Sequence, residues 1–187
     1  MSKRSKVLFL STGNATRSQM AEGFLRTLAG DHFDATSAAT GTGDVSPLTR
    51  EVMAEDGVDI SWQRSSTVAD SFRDFFGYVI TFYDDAKERS PVFPFTTNLL
   101  RWSLIDPSST KGSFEEKKQT FRRVRDQIKL KVREFVRQVA EKEEKEKEPR
   151  QGQEATDLKG GRGQAAYLLV TAGFARELLG TSKAGKS

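Results

Sequence analysis

The sequence predicts an α/β protein: a parallel four-stranded sheet flanked by helices, followed by a charged C-terminal extension. Three observations predict it. Val7–Leu10 is a continuous apolar run, the pattern of a strand buried on both faces of a parallel sheet. After a short polar loop, Met20, Phe24 and Leu28 recur at four-residue spacing with Ala21 and Leu25 beside them, which makes one apolar helix face. Runs of the first kind then alternate with patterns of the second, the order of successive βαβ units.

The elements follow in order. The strand Val7–Leu10 leads through Ser11–Thr16 into a helix over Arg17–Ala29, stopped by Gly30. Phe33–Ala39 forms a second strand. Ser46–Pro47 is a helix start, a cap residue followed by proline at the first helical position, and the helix runs on through Val52, Met53 and Ala54. Tyr78–Tyr83 and Asn98–Ile105 supply the third and fourth strands. Phe121, Val124, Ile128, Val132, Phe135 and Val139 step by three or four, a long amphipathic helix from Phe114 to about Ala140. The composition then changes. Nine of the ten residues Glu141–Arg150 are charged, and Gln151–Gln164 is polar and glycine-rich. The expected organisation is a domain over 1–140, a flexible charged linker (or frayed helix continuation) over 141–164, and a short tail over 165–187. In that tail Ala165–Leu179 is apolar again, and it either docks on the core or binds a protein partner.

Composition excludes several function classes. The 187 residues include no cysteine, so disulfides, thiolate metal sites and a cysteine nucleophile are out. A single histidine, His32, leaves no zinc cluster and nearly excludes a Ser–His–Asp triad. Thirty Lys+Arg against 26 Asp+Glu gives +4 with the signs interspersed, which is no nucleic-acid footprint. The apolar run behind the basic N-terminus is too short for a signal peptide, and none approaches a membrane span of ~20 residues. A cytoplasmic protein without metal or organic cofactor is expected.

The chemistry lies in the loop Ser11-Thr12-Gly13-Asn14-Ala15-Thr16-Arg17-Ser18. A loop at the carboxyl end of a parallel strand is where open α/β sheets bind ligands. Its backbone N–H groups can turn inward as an anion nest, backed by the positive end of the following helix dipole. Gly13 permits the dihedrals of a nest, and Arg17 offers a fork of donors to a tetrahedral oxyanion. The plainer alternative, a polar turn with an incidental arginine, is equally compatible with these residues. No Gly-Lys-Ser/Thr follows, so this is not a nucleotide P-loop.

The run Val7-Leu8-Phe9-Leu10 followed by Ser11…Arg17-Ser18-Gln19-Met20-Ala21-Glu22 resembles the low-molecular-weight protein tyrosine phosphatases and the thioredoxin-coupled arsenate reductases. The signature of that family is a cysteine, five residues, then arginine and serine. The likeness continues through Thr36–Ala39, Pro47–Met53, Gly57–Asp59 with Ile60–Ser65, Val79–Thr81, Asp85-Ala86, Ser90-Pro91, Trp102 and Asp106-Pro107, covering about Lys6 to Ala140. It implies that the backbone from Thr12 through Gly13, Asn14, Ala15 and Thr16 to Arg17 cradles phosphate or arsenate. The Arg17 side chain would clamp two oxygens, Asn14 would brace the loop, and Ser18 would donate toward the nucleophile position. Asp106 would be the general acid.

The departures matter as much. Ser11 stands at the nucleophile position. The two relay cysteines of the reductases correspond to Tyr83 and Ser90, and Thr16 replaces a further loop cysteine of some members. A thiol in an anion nest ionises near neutrality, whereas an alcohol needs a base or a metal. Thiol-dependent reduction is therefore excluded for this chain, and thioredoxin coupling is not expected. A single Cys→Ser change would fit a trapped variant of an active phosphatase or reductase. Tyr83 and Thr16 are not conservative replacements for cysteine and favour a naturally degenerate homologue. The expected function is binding of phosphate, arsenate or a phosphorylated ligand, in the setting of an arsenic response, without thiol turnover. An interaction protein acting through its tail is the reading from another class.

Overall fold

The computed structural model describes residues 4–11, 15–39, 45–64, 66–71, 74–83 and 96–147. The elements run β1 (Ser5–Ser11), α1 (Thr16–Ala29), β2 (Phe33–Ala39), α2 (Pro47–Glu55), β3 (Ser66–Thr67), α3 (Val68–Ser71), β4 (Phe76–Tyr83), β5 (Thr96–Ser103), a 3-10 turn (Pro107–Ser109) and α4 (Phe114–Lys147). The strands form one parallel sheet in the order β3-β2-β1-β4-β5. The sheet therefore has five strands, not the four expected from the sequence. The extra one, β3, is two polar residues paired to Ala38 and Ala39. It is too short to carry an apolar run or an alternation, so no pattern announces it.

β1 is the middle strand, and Val7–Ser11 are all buried, as its apolar run requires. It aligns Ser11 with Ala39 on one side and with Phe82 on the other, while Phe82 aligns with Trp102. The carboxyl ends of β1, β2, β4 and β5 thus share one edge. Phe9, Phe82 and Trp102 form a ring cluster across β1, β4 and β5, with centroids 5.6–6.3 Å apart. Met20, Phe24 and Leu25 of α1 are buried, as are Val52 and Met53 of α2 and Phe121, Val124, Ile128 and Val132 of α4. Gly23 of α1 permits a close approach: a Cβ there would lie 2.6 Å from the Ile60 side chain.

Helix ends show how local chemistry sets the boundaries. α1 ends at Gly30, which keeps right-handed dihedrals (φ −61°, ψ −20°), so it is not the left-handed stop that glycine commonly supplies. α2 starts at Pro47 behind Ser46, but the Ser46 side chain makes no capping bond. α4 begins with a reciprocal cap. Ser113 N–H donates to Glu116 Oε2 (2.7 Å), and Glu116 N–H donates to Ser113 Oγ (3.3 Å). α2 is fastened to α4 by ion pairs: Lys118 to Glu51 and Glu55, Arg122 to Glu55 in a fork, and Lys129 to Asp56. Arg125 adds a bond to the Val52 carbonyl at 2.8 Å.

The chain divides into two compact units, Met1–Arg133 and Glu134–Ser187. In the second, the described residues are the last turns of α4, where Arg137 pairs with Glu134 and Glu141. The helix runs seven residues past Ala140, to Lys147. The rest of the charged run and the apolar segment Ala165–Leu179 lie outside the described residues.

Candidate functional site

Ser11 closes β1 at the carboxyl edge, and its side chain is fully buried. Its Oγ accepts the backbone N–H of Ser18 at 3.1 Å. This contact has a local cause. The residue at the N-cap of α1 is Ala15, which has no side-chain oxygen to satisfy the free N–H groups of the first turn. Ser11, seven residues earlier in the chain, supplies that oxygen instead. The Ser18 hydroxyl donates to the Ala15 carbonyl at 3.0 Å, which tightens the same turn. No acidic residue occupies the first turn of α1, so the positive end of its dipole is not offset from within the helix. Thr12, Gly13 and Asn14 lie outside the described residues.

Arg17 is 2% exposed, and its Nη1 donates to the Leu104 carbonyl at 2.7 Å. That bond joins α1 to the segment after β5. Two residues on, Asp106 caps the 3-10 turn: its Oδ1 accepts the Ser108 N–H at 2.9 Å and its carbonyl accepts the Ser109 hydroxyl at 2.7 Å. A second link runs between the hydroxyls of Thr16 and Ser108, 3.2 Å apart. Of the residues singled out in the sequence, Ser11, Ala15, Thr16, Arg17 and Ser18 are thus linked through the head of α1, and the Asp106 turn is tied to it. Tyr83 ends β4 at the same edge. Ser90 lies outside the described residues. His32 stands in the turn before β2, where its carbonyl accepts the Ser5 N–H at 3.1 Å, at the opposite edge from Ser11.

Leu104 and Ser108 were not singled out by the sequence. Leu104 contributes a main-chain carbonyl, which no residue type signals, and Ser108 is one polar residue of an ordinary turn. Glu22 is a buried carboxylate on α1, and burial pushes its pKa up, against the lowering effects of Ser37 and Arg26. Arg26 pairs with it at 3.0 Å, donates to the Ala35 carbonyl and lies over the Trp62 ring. Among the described residues, no group of three His, Cys, Asp or Glu side chains could hold a metal ion.

The fold and the loop together define a parallel α/β protein with a polar, helix-headed loop at the carboxyl edge of its middle strand. The chain belongs to the low molecular weight phosphotyrosine protein phosphatase family, whose model matches residues 6–146. It is 37% identical over 130 residues to an arsenate reductase of Halalkalibacterium halodurans, spanning 70% of this chain and 94% of that protein. It is 36% identical over 130 residues to the arsenate reductase of Bacillus subtilis, with the same coverage. Among solved structures, an arsenate reductase in the phosphate binding state superposes with a TM-score of 0.61 at 31% identity, covering 71% of this chain and 96% of that one. The family is one whose signature cysteines are replaced here, since the chain has none.

Proposed function

We propose that the chain binds a phosphate- or arsenate-type oxyanion in the Ser11–Ser18 loop and does not turn it over through a thiol. The observation that carries this is that a buried Arg17 and a buried, neutral Ser11 hydroxyl that accepts the Ser18 N–H both belong to the head of α1. In this reading Arg17 clamps two ligand oxygens while the backbone from Thr12 to Arg17 cradles the rest. Ser11 holds the first turn of the helix but is no ready nucleophile. Its oxygen is used as an acceptor, and the only imidazole of the chain, His32, stands at the other edge of the sheet. In this reading Asp106 has the role of a leaving-group acid, with no thiol chemistry to serve. The reading places the protein in the cytoplasm, in the handling of arsenate, phosphate or a phosphorylated ligand.

Calorimetric titration of phosphate and arsenate, on this chain and on its Ser11→Cys variant, tests the reading. Each protein is also assayed on an aryl phosphate. Binding by both, with hydrolysis by the cysteine form alone, is the expected result. Absence of binding by either overturns the loop as an oxyanion site. Turnover by the chain itself would make it an active phosphatase and sink the claim of lost turnover.

A further inference from the structure

Two polar contacts cross from the head of α1 to the segment that carries Asp106. The Arg17–Leu104 bond is one, and the Thr16–Ser108 hydroxyl contact is the other. Thr16 is 1% exposed, and it meets a residue 92 positions away. Ser108 has a double attachment: its hydroxyl faces Thr16, while its N–H donates to Asp106 Oδ1. The position of the Asp106 carboxylate is thereby fixed to the first turn of α1 through one intermediate residue.

We propose that Thr16 and Ser108 form a positioning latch that holds the Asp106 carboxylate against the oxyanion loop. This rests on the reading of that loop given above and deepens it. One oxygen of Asp106 is taken by the Ser108 N–H, which sets the carboxyl plane. The threonine at residue 16 is the specific element. It is 1% exposed, and its hydroxyl is the partner that the Ser108 hydroxyl meets across 92 residues. Thr16 and Ser108 are positioning residues: neither supplies the proton or the nucleophile.

Two measurements test the latch, one of them independent of turnover. The first is amide exchange at Ser108 in the chain itself, whose N–H is held by Asp106. Ser108→Ala keeps that N–H and, on an exposed turn residue, does not threaten folding. Thr16→Val and Ser108→Ala should each speed Ser108 exchange by ~3–10-fold, a local opening made easier by one lost hydrogen bond, while Thr16→Ser leaves it unchanged. Unchanged exchange in both disruptive variants overturns the proposal, whatever the enzymology shows. The second measurement uses the Ser11→Cys background and compares phenyl with 4-nitrophenyl phosphate. A displaced general acid costs most on the poorer leaving group, so Ser108→Ala should lower kcat by ~10-fold on phenyl phosphate and far less on the nitrophenyl ester. KM should hardly move, and the Thr16→Val/Ser108→Ala pair should be non-additive. Equal losses on both esters would refute a positioning role. If the Ser11→Cys protein shows no turnover, the reading of the site as a phosphatase-type centre fails while amide exchange still decides the latch.

Discussion

Arg17→Ala separates the structural duty of the arginine from its proposed duty toward ligand. The guanidinium is 2% exposed and donates to the carbonyl of Leu104, itself 8% exposed. A hydrogen bond from a charged donor contributes ~1.5–3 kcal/mol, and a buried carbonyl left without its partner costs ~1–3 kcal/mol. These describe largely the same loss, so the expected destabilisation is ~2–3 kcal/mol, a fall in Tm of ~4–10 °C for a chain of this size. Ligand affinity should fall much further. Two charge-assisted bonds to an oxyanion are worth ~3–5 kcal/mol together, or ~10²–10⁴-fold in Kd. Arg17→Lys keeps the charge but cannot reach Leu104 and two ligand oxygens at once, so it should lie between. Calorimetric titration with phosphate at low ionic strength reads the affinity, and differential scanning calorimetry reads the Tm. An Arg17→Ala protein that melts at the predicted lower temperature yet binds phosphate as well as the parent would refute the clamp. It would leave Arg17 as a strut between α1 and the segment after β5.

Glu55 is held down to about 2, chiefly by its hydrogen bonds from Arg122, with Lys118 adding to the effect. Its folded pKa lies below the unfolded value, so its stabilising contribution is present above pH ~4.3 and is lost as pH falls through about 2. Glu55→Gln should therefore lower the urea midpoint at pH 7, and the gap to the parent should close as pH is lowered toward 2. Phe9 is fully buried on the middle strand and touches both Phe82 and Trp102. Phe9→Ala should cost ~3–5 kcal/mol by chemical denaturation, most of it cavity and lost ring contact. In Ser11→Cys, phosphate affinity should weaken as pH rises through the thiol pKa, whereas in the parent chain it should follow the ionisation of phosphate alone. Titrations at pH 5 to 8 compare the two.

The first βα unit was legible because each of its signals is local. A four-residue apolar run makes a buried strand, a four-residue spacing makes a helix, and the polar loop between them has nowhere to go but the carboxyl edge. The same holds for β2, which has the expected ends, and for β4 and β5, which begin two residues earlier than expected, β5 also ending two residues earlier. β3 was not legible, because Ser66–Thr67 pairs by virtue of where the chain returns rather than by what the residues are. The far end of α4 is another case. Its apolar periodicity stops at Val139, yet Glu and Lys are strong helix formers and Arg137–Glu141 pairs at four-residue spacing, so the helix continues. At the site, the sequence supplied the donors but not their acceptors. Arg17 could be named from its place in the loop, whereas the Leu104 carbonyl is a property of the fold. The Thr16–Ser108 contact spans 92 residues and no spacing rule reaches it.

Under the proposed function, residue 11 sets binding against turnover. The head of α1 concentrates a helix dipole end and the Arg17 charge, with no acidic side chain in the first turn to offset them. In a loop with cysteine at this position, a thiolate would take the Ser18 N–H and part of that positive potential for itself. It would also repel an entering anion. Two like unit charges 4 Å apart repel by ~4 kcal/mol at an effective dielectric of 20. The Ser11 hydroxyl accepts the same N–H and so preserves the turn, but it brings no charge. In the proposed reading the positive end of the helix dipole then meets no anionic side chain at residue 11. In the proposed reading, serine at residue 11 therefore keeps the head of α1 intact and removes a competing anion from it. The proposed binding function thus rests on Arg17 and the head of α1, and the Ser11 hydroxyl keeps the turn on which both depend.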